Sequence, residues 1–363
     1  MQLKYKPDFE EAAARFDAFW AGQYLDRPPV CIRAPKKDVP QMPYLGHMYK
    51  EQYGARTEAD FEAVLSKYED HYLSRTAFLG ESMPFFHLSF GPDMYAAFFG
   101  AELISSSEAN TNTNWVQPIV EDWDQFSGKL DEGENGVLAR FLRFMKYAAQ
   151  YSEGKFLMGV PDTHSNMDAM SALRDNVELC YDLYDCPDEV EEALKKVQSY
   201  YDPIMRAVAE AGDFERRGYI GWHHLYCRER YATVQCDFAA LCGPAMGERF
   251  IYPYVQKEAA SHAHCSYHYD GPGALCHIDH ILQIPEIDVI QWVPGAGQPK
   301  SCHWMDLLKK VQAAGKRLYV DDLSPADIKE HFHELDPRMV CYATNARSEE
   351  EAQDLLEFIR KHS

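Results

Sequence analysis

The sequence predicts an α/β fold, a single (β/α)8 TIM barrel with an N-terminal helical extension. Three observations carry that expectation. Short apolar stretches alternate with longer amphipathic ones from residue 30 to the end, the pattern of βαβ units and a parallel sheet. About eight such strands in a chain of this length favour closing the sheet on itself over leaving it open. The stretch Ser266 to Gly297, SYHYDGPGALCHIDHILQIPEIDVIQWVPGAG, shows one unit plainly. A strand ends in His268 and Asp270, a Gly-Pro-Gly turn and short helix follow, and a second strand, Ile287 to Val293, carries Gln291 and Trp292. Ligands of such folds bind at the C-terminal ends of the strands.

The elements follow in order. Residues 1–28 form the extension, whose helix, Asp8 to Gly22, places Phe9, Ala13, Phe16 and Trp20 on one face. Two prolines in DRPPV introduce the strand Val30 to Ala34, which bears Arg33. A helix over Glu58 to Leu79 leads to the strand Pro84 to Phe90. Residues 91–131 show little periodicity and read as an excursion over the barrel mouth, a lid. Helix Gly136 to Tyr151 and strand Lys155 to Pro161 restore the alternation, followed by the polar turn DTHSNMD and helices over Met167 to Asn176 and Pro187 to Ala211. Strand Tyr219 to Trp222, strand Thr233 to Phe238 and helix Pro244 to Ala263 precede the central stretch. Helix Trp304 to Ala314, strand Lys316 to Val320, helix Pro325 to Leu335, strand Met339 to Ala343 and helix Glu349 to His362 close the chain. One domain over residues 1–363 is expected.

Composition narrows the partners. A formal net charge of −21 and a pI near 5.1 oppose binding to nucleic acid or an anionic membrane surface and leave a small-molecule substrate as the expected partner. No apolar run reaches membrane-spanning length and the N-terminus is charged, so a soluble, cytoplasmic protein is expected. The ten cysteines stand without paired spacing, which argues for reduced thiols.

Period-two alternation in TVQCDF puts Gln235 and Asp237 on one side of a strand. For an inner strand that side is the cavity. Asp237 is then a general acid/base or substrate-binding residue, or alternatively a buried carboxylate paired with Arg228 or Arg230. His268 and Asp270 likewise share a side. Arg33 is placed to hold one carboxylate or phosphate, or else forms a surface ion pair. Asp162, His164 and Asn166 occupy a strand-end loop in which one of these residue types caps the next helix, leaving His164 for the ligand. His223 and His224 form a further polar cluster, His277 is read as orienting a carboxylate, and Trp292 with Tyr267 offers an aromatic wall.

The DRPPV segment after a first helix, TVQCDF followed by a Pro-led helix and FIYPYV, a strand ending in His-x-Asp, IDVIQWVPG and a last strand before SEEEAQDLLEFI together resemble the uroporphyrinogen decarboxylase superfamily. The resemblance runs along nearly the whole chain and is nearer to its zinc-dependent corrinoid methyltransferase branch. It implies a deep site at the C-terminal rim. It also implies zinc held by His268, Asp270 and Cys341, where that branch has a His-x-Cys pair and a final-strand Cys, with a corrinoid protein or a thiol as methyl partner. Asp270 in place of Cys departs from the branch: a hard carboxylate makes zinc a stronger Lewis acid and suits it less to activating a thiolate. Cys341 and His268 are otherwise a core thiol and a hydrogen-bonded rim histidine.

The resemblance implies substrate contact from the loop that bears His164 and proton handling by Asp237; Gln235 and Trp292 are expected to bind substrate from their strand positions. True decarboxylases of the superfamily carry a two-arginine RQAGR pattern, of which this chain keeps Arg33 alone. Metal-free decarboxylase or lyase chemistry at Asp237 and His268, and a non-catalytic barrel that binds a tetrapyrrole, corrinoid or partner protein, are the alternative readings.

Overall fold

The computed structural model describes residues 1–43, 45–105 and 114–363. Its centre is a seven-stranded sheet: β1 (Val30–Pro35), β2 (Thr76–Gly80), β3 (Tyr231–Gln235), β4 (His264–Asp270), β5 (Val289–Val293), β6 (Arg317–Val320) and β7 (Val340–Asn345). The spatial order is β2-β1-β7-β6-β5-β4-β3, with every pairing parallel except β1 with β2. Consecutive strands from β3 to β7 are neighbours, each linked by a helical crossover, as right-handed βαβ winding requires. Strands β3, β5, β6 and β7 are buried along nearly their whole length, as parallel strands under helical crossovers are, whereas the edge strand β2 is half-buried after Thr76.

Phe85–Phe86 pairs in parallel with Leu157–Met158, and Tyr219–Ile220 pairs antiparallel with Tyr226–Cys227. A bond from Val160 N to Ile220 O (2.7 Å) ties these two ribbons together. No ladder joins them to β1 or β3 among the described residues, so the expected barrel is corrected to a barrel-like α/β fold whose hydrogen-bonded ring does not close. These strands are two residues long, too short to carry a ladder across the gap.

The expected helix over Glu58 to Leu79 ends at His71, and Thr76–Gly80 turns back as β2 on the edge of β1. Its apolar residues serve a strand as well as a helix, and the open edge of β1 decides between them. Pro244 to Ala263 breaks at Ile251 into Pro244–Phe250 and Tyr252–Ala259, where Pro253 removes an amide donor. The extension helix, Phe9–Trp20, buries the predicted face. Trp20 donates through Nε1 to Tyr226 O (2.7 Å) and stacks on His264 at 4.7 Å, so this helix covers the N-terminal end of β4.

Of the expected excursion, residues 106–113 lie outside the described residues. Its flanks are packed: Phe98, Phe99, Val116 and Trp123 are buried, and Trp123 donates to Asp182 Oδ2 (2.7 Å). Among the described residues no helix is long and apolar enough to cross a membrane, and all ten cysteines are free.

Candidate metal and proton-transfer site

The sheet register builds the site. Gln235 pairs with His268, His268 with Gln291, and Gln291 with Tyr319. Partners in a parallel ladder project to the same face, so these four side chains form one row across β3, β4, β5 and β6. One step towards the C-terminal ends stand Asp270 on β4 and Asp237 just past β3. Asp237, His268 and Asp270 converge, with one ligand atom from each lying within 4.8 Å of the other two. Asp237 reaches this place because the strand ends at Gln235 and the chain bends into a 3-10 turn, Asp237–Leu241.

Behind His268 lies a polar chain that fixes its tautomer. Gln291 Nε2 donates to Asp321 Oδ2 (2.9 Å), so the amide oxygen must accept from both His268 Nδ1 (2.6 Å) and His223 Nε2 (2.7 Å). His268 therefore carries a proton on Nδ1, which leaves Nε2 as its ligating nitrogen. His223 Nδ1 accepts from Ser266 Oγ (2.7 Å), whose oxygen in turn takes the Tyr231 hydroxyl (2.7 Å). Burial and the neighbouring His268 hold His223 well below the usual imidazole pKa, so this layer is a neutral support.

On the other side, His164 Nε2 lies 3.2 Å from Asp162 Oδ2 and Nδ1 lies 4.0 Å from Asp237 Oδ2. Burial opposes the imidazolium, but Asp162, Asp168 and Asp237 pull its pKa up to about 10. Asp168 accepts the amides of Asp237 (3.0 Å) and Phe238 (2.8 Å), which pins the 3-10 turn. Burial and the charge of Asp237 push Asp168 up to about 7, against His164 and those two amides. His164, Asn166 and His224 adopt positive φ of 34°, 51° and 52°. Such backbone costs about 1–3 kcal/mol per residue and persists where the surroundings demand it, as at ligand sites.

Other sequence-singled residues fall differently. Cys341 is fully buried on β7, three strands from β4, and stands against Cys31 and not with His268 and Asp270. The third group beside that pair is Asp237. Trp292 alternates away from Gln291 and packs against Tyr269 (5.9 Å) and Trp304 (5.1 Å), on the face opposite His268. Gln235 faces the site with a buried Nε2 that has no partner among the described residues. Arg33 sits on β1 with Nη1 3.0 Å from His224 Nε2. Arg228 pairs with Glu10 and Asp17, and Arg230 with Asp202, so neither neutralises Asp237. His277 takes the Tyr252 hydroxyl on Nδ1 and donates to Ala239 O and Cys242 O, clamping the 237–242 turn and not a ligand carboxylate.

Asp168 and Asp321 were not singled out in the sequence. Asp168 lies four residues past His164, one helical turn from the loop, and Asp321 opens DDLSP at the end of β6. Strand-end position was the available signal for both. Glu258 gave none, because its helix reads as an ordinary polar face. It is buried, bonds Asn166 Nδ2 (3.0 Å) and so holds the strained loop.

Burial pushes Glu258 up to about 8, resisted by Ser165, Asn166 and Gln198 and aided by Asp168; Tyr95, Tyr201 and Cys265 are further titratable neighbours. A raised native pKa means the folded state holds the proton more tightly. Its stabilising contribution is then complete below the unfolded carboxyl pKa and falls as pH rises through about 8. Melting temperature should fall between about pH 5 and about pH 9, and Glu258→Gln should flatten that fall. An unchanged slope in the variant would refute the assignment.

The donor set suits a divalent ion. One imidazole and two carboxylates are acceptable to zinc, and Asp237 Oδ1 is buried with no hydrogen-bond partner among the described residues. Burial and the charge of Asp237 also raise Asp270, against the pull of His268 and His164. Two crowded carboxylates of this kind gain from a shared cation.

No family model and no curated protein matches the chain. Among solved structures it is similar to a methyltransferase from Methanosarcina mazei, with a TM-score of 0.59 at 14% identity, covering 97% of this chain and 98% of that one. At that identity the likeness is one of fold, and it runs over nearly the whole length of both chains.

Proposed function

We propose that the protein is a metal-dependent transferase of small molecules, with methyl transfer as its leading reaction and a corrinoid protein or a thiol as methyl partner. The observation that carries this reading is the convergence of Asp237, His268 and Asp270 at the strand ends, with His268 Nδ1 held by Gln291. His268 Nε2, Asp270 and one oxygen of Asp237 would hold the ion, zinc by preference. When bound, the ion supplies Lewis acidity to a ligand oxygen or sulfur. Two carboxylates in place of thiolates favour an oxygen ligand, such as a methoxyl or alcohol group. Gln291 and Asp321 orient the imidazole, as outer-shell partners of metal-bound histidines do. His164, backed by Asp162, faces the second oxygen of Asp237 and is placed to exchange a proton with a group bound there.

A metal-free lyase or decarboxylase is the second reading, favoured by His164 standing 3.2 Å from Asp162 on one side and 4.0 Å from Asp237 on the other, the parts of an oriented acid/base pair. Elemental analysis of the chain purified without chelator separates the two. About one divalent ion per chain, with turnover of methoxylated compounds lost on chelation and restored by zinc, is the expected result. Absent metal, or activity that survives chelation, would sink the first reading.

A further inference from the structure

Asp237 belongs to two groups of ligand-type side chains. It stands with His268 and Asp270 on one side and with His164 and Asp168 on the other, and in each group one ligand atom from every residue lies within 4.8 Å of the other two. The second group is built like the first. His164 stands in the loop after Leu157–Met158, and Asp168 lies one turn further on, in the helix Asn166–Arg174. His164 Nε2 is 3.2 Å from Asp162 Oδ2, and its Nδ1 is 4.0 Å from Asp237 Oδ2. A carboxylate only accepts, so Asp162 keeps the proton of a neutral imidazole on Nε2 and leaves the Nδ1 lone pair facing Asp237. Gln291 does the same for the opposite nitrogen of His268. Two histidines, each oriented from behind, thus present a free nitrogen to one shared carboxylate, the arrangement that outer-shell partners impose on metal-bound histidines.

Charge and unmet hydrogen bonds point the same way. Asp162, Asp168, Asp237 and Asp270 gather around these two imidazoles, and among the described residues none of them has a lysine or arginine within ion-pairing distance. One divalent ion leaves half of that negative charge unmatched, whereas a pair of ions balances all of it. Asp168 is 6% exposed and accepts the amides of Asp237 and Phe238 on separate oxygens, so each oxygen keeps a lone pair for an ion. Gln235 is 4% exposed and stands just before Asp237 on the same face; its Nε2 has no partner among the described residues, and neither has Asp237 Oδ1. Water held by an ion in this place would accept from that amide.

We propose that His164 Nδ1, Asp168 and Asp237 hold a second divalent ion beside the one at His268 and Asp270, with Asp237 bridging the pair. Imidazole together with carboxylates suits zinc or manganese. Ions paired in this way lie about 3.5–4 Å apart. Their repulsion, and the two amides already on Asp168, make this ion the weaker of the two, added by titration and not carried through purification. The Nδ1 lone pair serves either this ion or the proton of the transfer proposed above. The inference goes beyond the transferase reading: it shares Asp237 with the metal site of that reading and stands on His164 and Asp168.

The test is titration of the full chain, stripped with EDTA and dialysed into physiological salt, with Mn2+ alone. Equilibrium dialysis reads the stoichiometry, and electron paramagnetic resonance reads whether the bound ions are neighbours. About two Mn2+ per chain are expected, with the multiline spectrum of an exchange-coupled pair. His164→Ala should bind about one and show the hyperfine pattern of an isolated ion, and His164→Gln, which keeps a polar side chain, should do the same. His268→Ala, metal-free as purified, should still take up about one ion in the titration.

Saturation at one ion that His164→Ala does not alter would overturn the second site, as would two ions that show no exchange coupling or that both persist in His164→Ala. No saturable binding would overturn it together with the site at His268. One ion lost in His164→Ala and kept in His268→Ala would support this site and sink the one at His268. Should neither His164 variant fold, the spectrum of the unmodified chain decides alone, a coupled pair supporting the proposal and isolated ions overturning it.

Discussion

His268→Ala and Asp237→Asn are expected to lose the divalent ion proposed for this site, and Cys341→Ala to keep it. The expectation follows from register. His268 and Asp270 stand two apart on β4 and Asp237 begins the turn after β3, the adjacent strand, so their ligand atoms meet within 4.8 Å. Cys341 lies on β7, which is separated from β4 by β5 and β6. Adjacent strands are about 4.8 Å apart, which puts the Cys341 backbone on the order of 10–14 Å away. Burial and neighbouring Cys31 also raise the Cys341 thiol well above its usual range, which disfavours the thiolate a metal needs.

Gln291→Ala should retain the ion more weakly, by about 10–100-fold, because His268 then loses the partner that fixes its tautomer. Ligand removal should exceed that. Competition against a chromogenic chelator measures all four variants. Metal lost in Cys341→Ala with an intact fold, or retained in His268→Ala, would refute this ligand set.

Glu81→Ala will destabilise the protein by about 3–5 kcal/mol, the usual cost of removing one partner from a buried ion pair. Glu81 is 2% exposed. It accepts from Arg27 through both oxygens (2.6 and 2.8 Å), from Arg15 Nε (2.9 Å) and from the Val30 amide (2.8 Å). Removing the carboxylate leaves the buried Arg27 guanidinium with Pro28 O alone and Arg15 with Asp26 alone. It also frees the amide that starts β1, the strand carrying Arg33. Urea unfolding of the variant and of Arg27→Met reads the loss. A change below about 1 kcal/mol would place this cluster with exposed ion pairs, which contribute little.

Much of the fold was legible because it rests on local patterns. The C-terminal helix Glu349–His362, the extension helix and the strands bearing His268, Gln291 and Cys341 lie within a few residues of where periodicity puts them. Errors fell where two periods competed. Thr76–Gly80 is as acceptable in a helix as in a strand, and Thr233–Phe238 alternates past the point at which pairing with β4 stops. The site was legible to the extent that it lies at strand ends, which gave Asp237, His268, Asp270, His164, Gln235 and Arg33. Asp168 and Asp321 had only their strand-end position to mark them, and Glu258 was hidden, because a carboxylate on a helix looks the same in sequence whether it is solvated or buried.

The sequence by itself determined the alternating α/β architecture, the acidic surface and which side chains stand on one face of a strand, since period and composition are local properties. Only the tertiary structure decided which faces meet. Strand order set Asp237, and not Cys341, beside His268 and Asp270, and pleating turned Trp292 away. It also set Arg33 against His224, 191 residues further along the chain, because distance and desolvation depend on groups that only folding brings together.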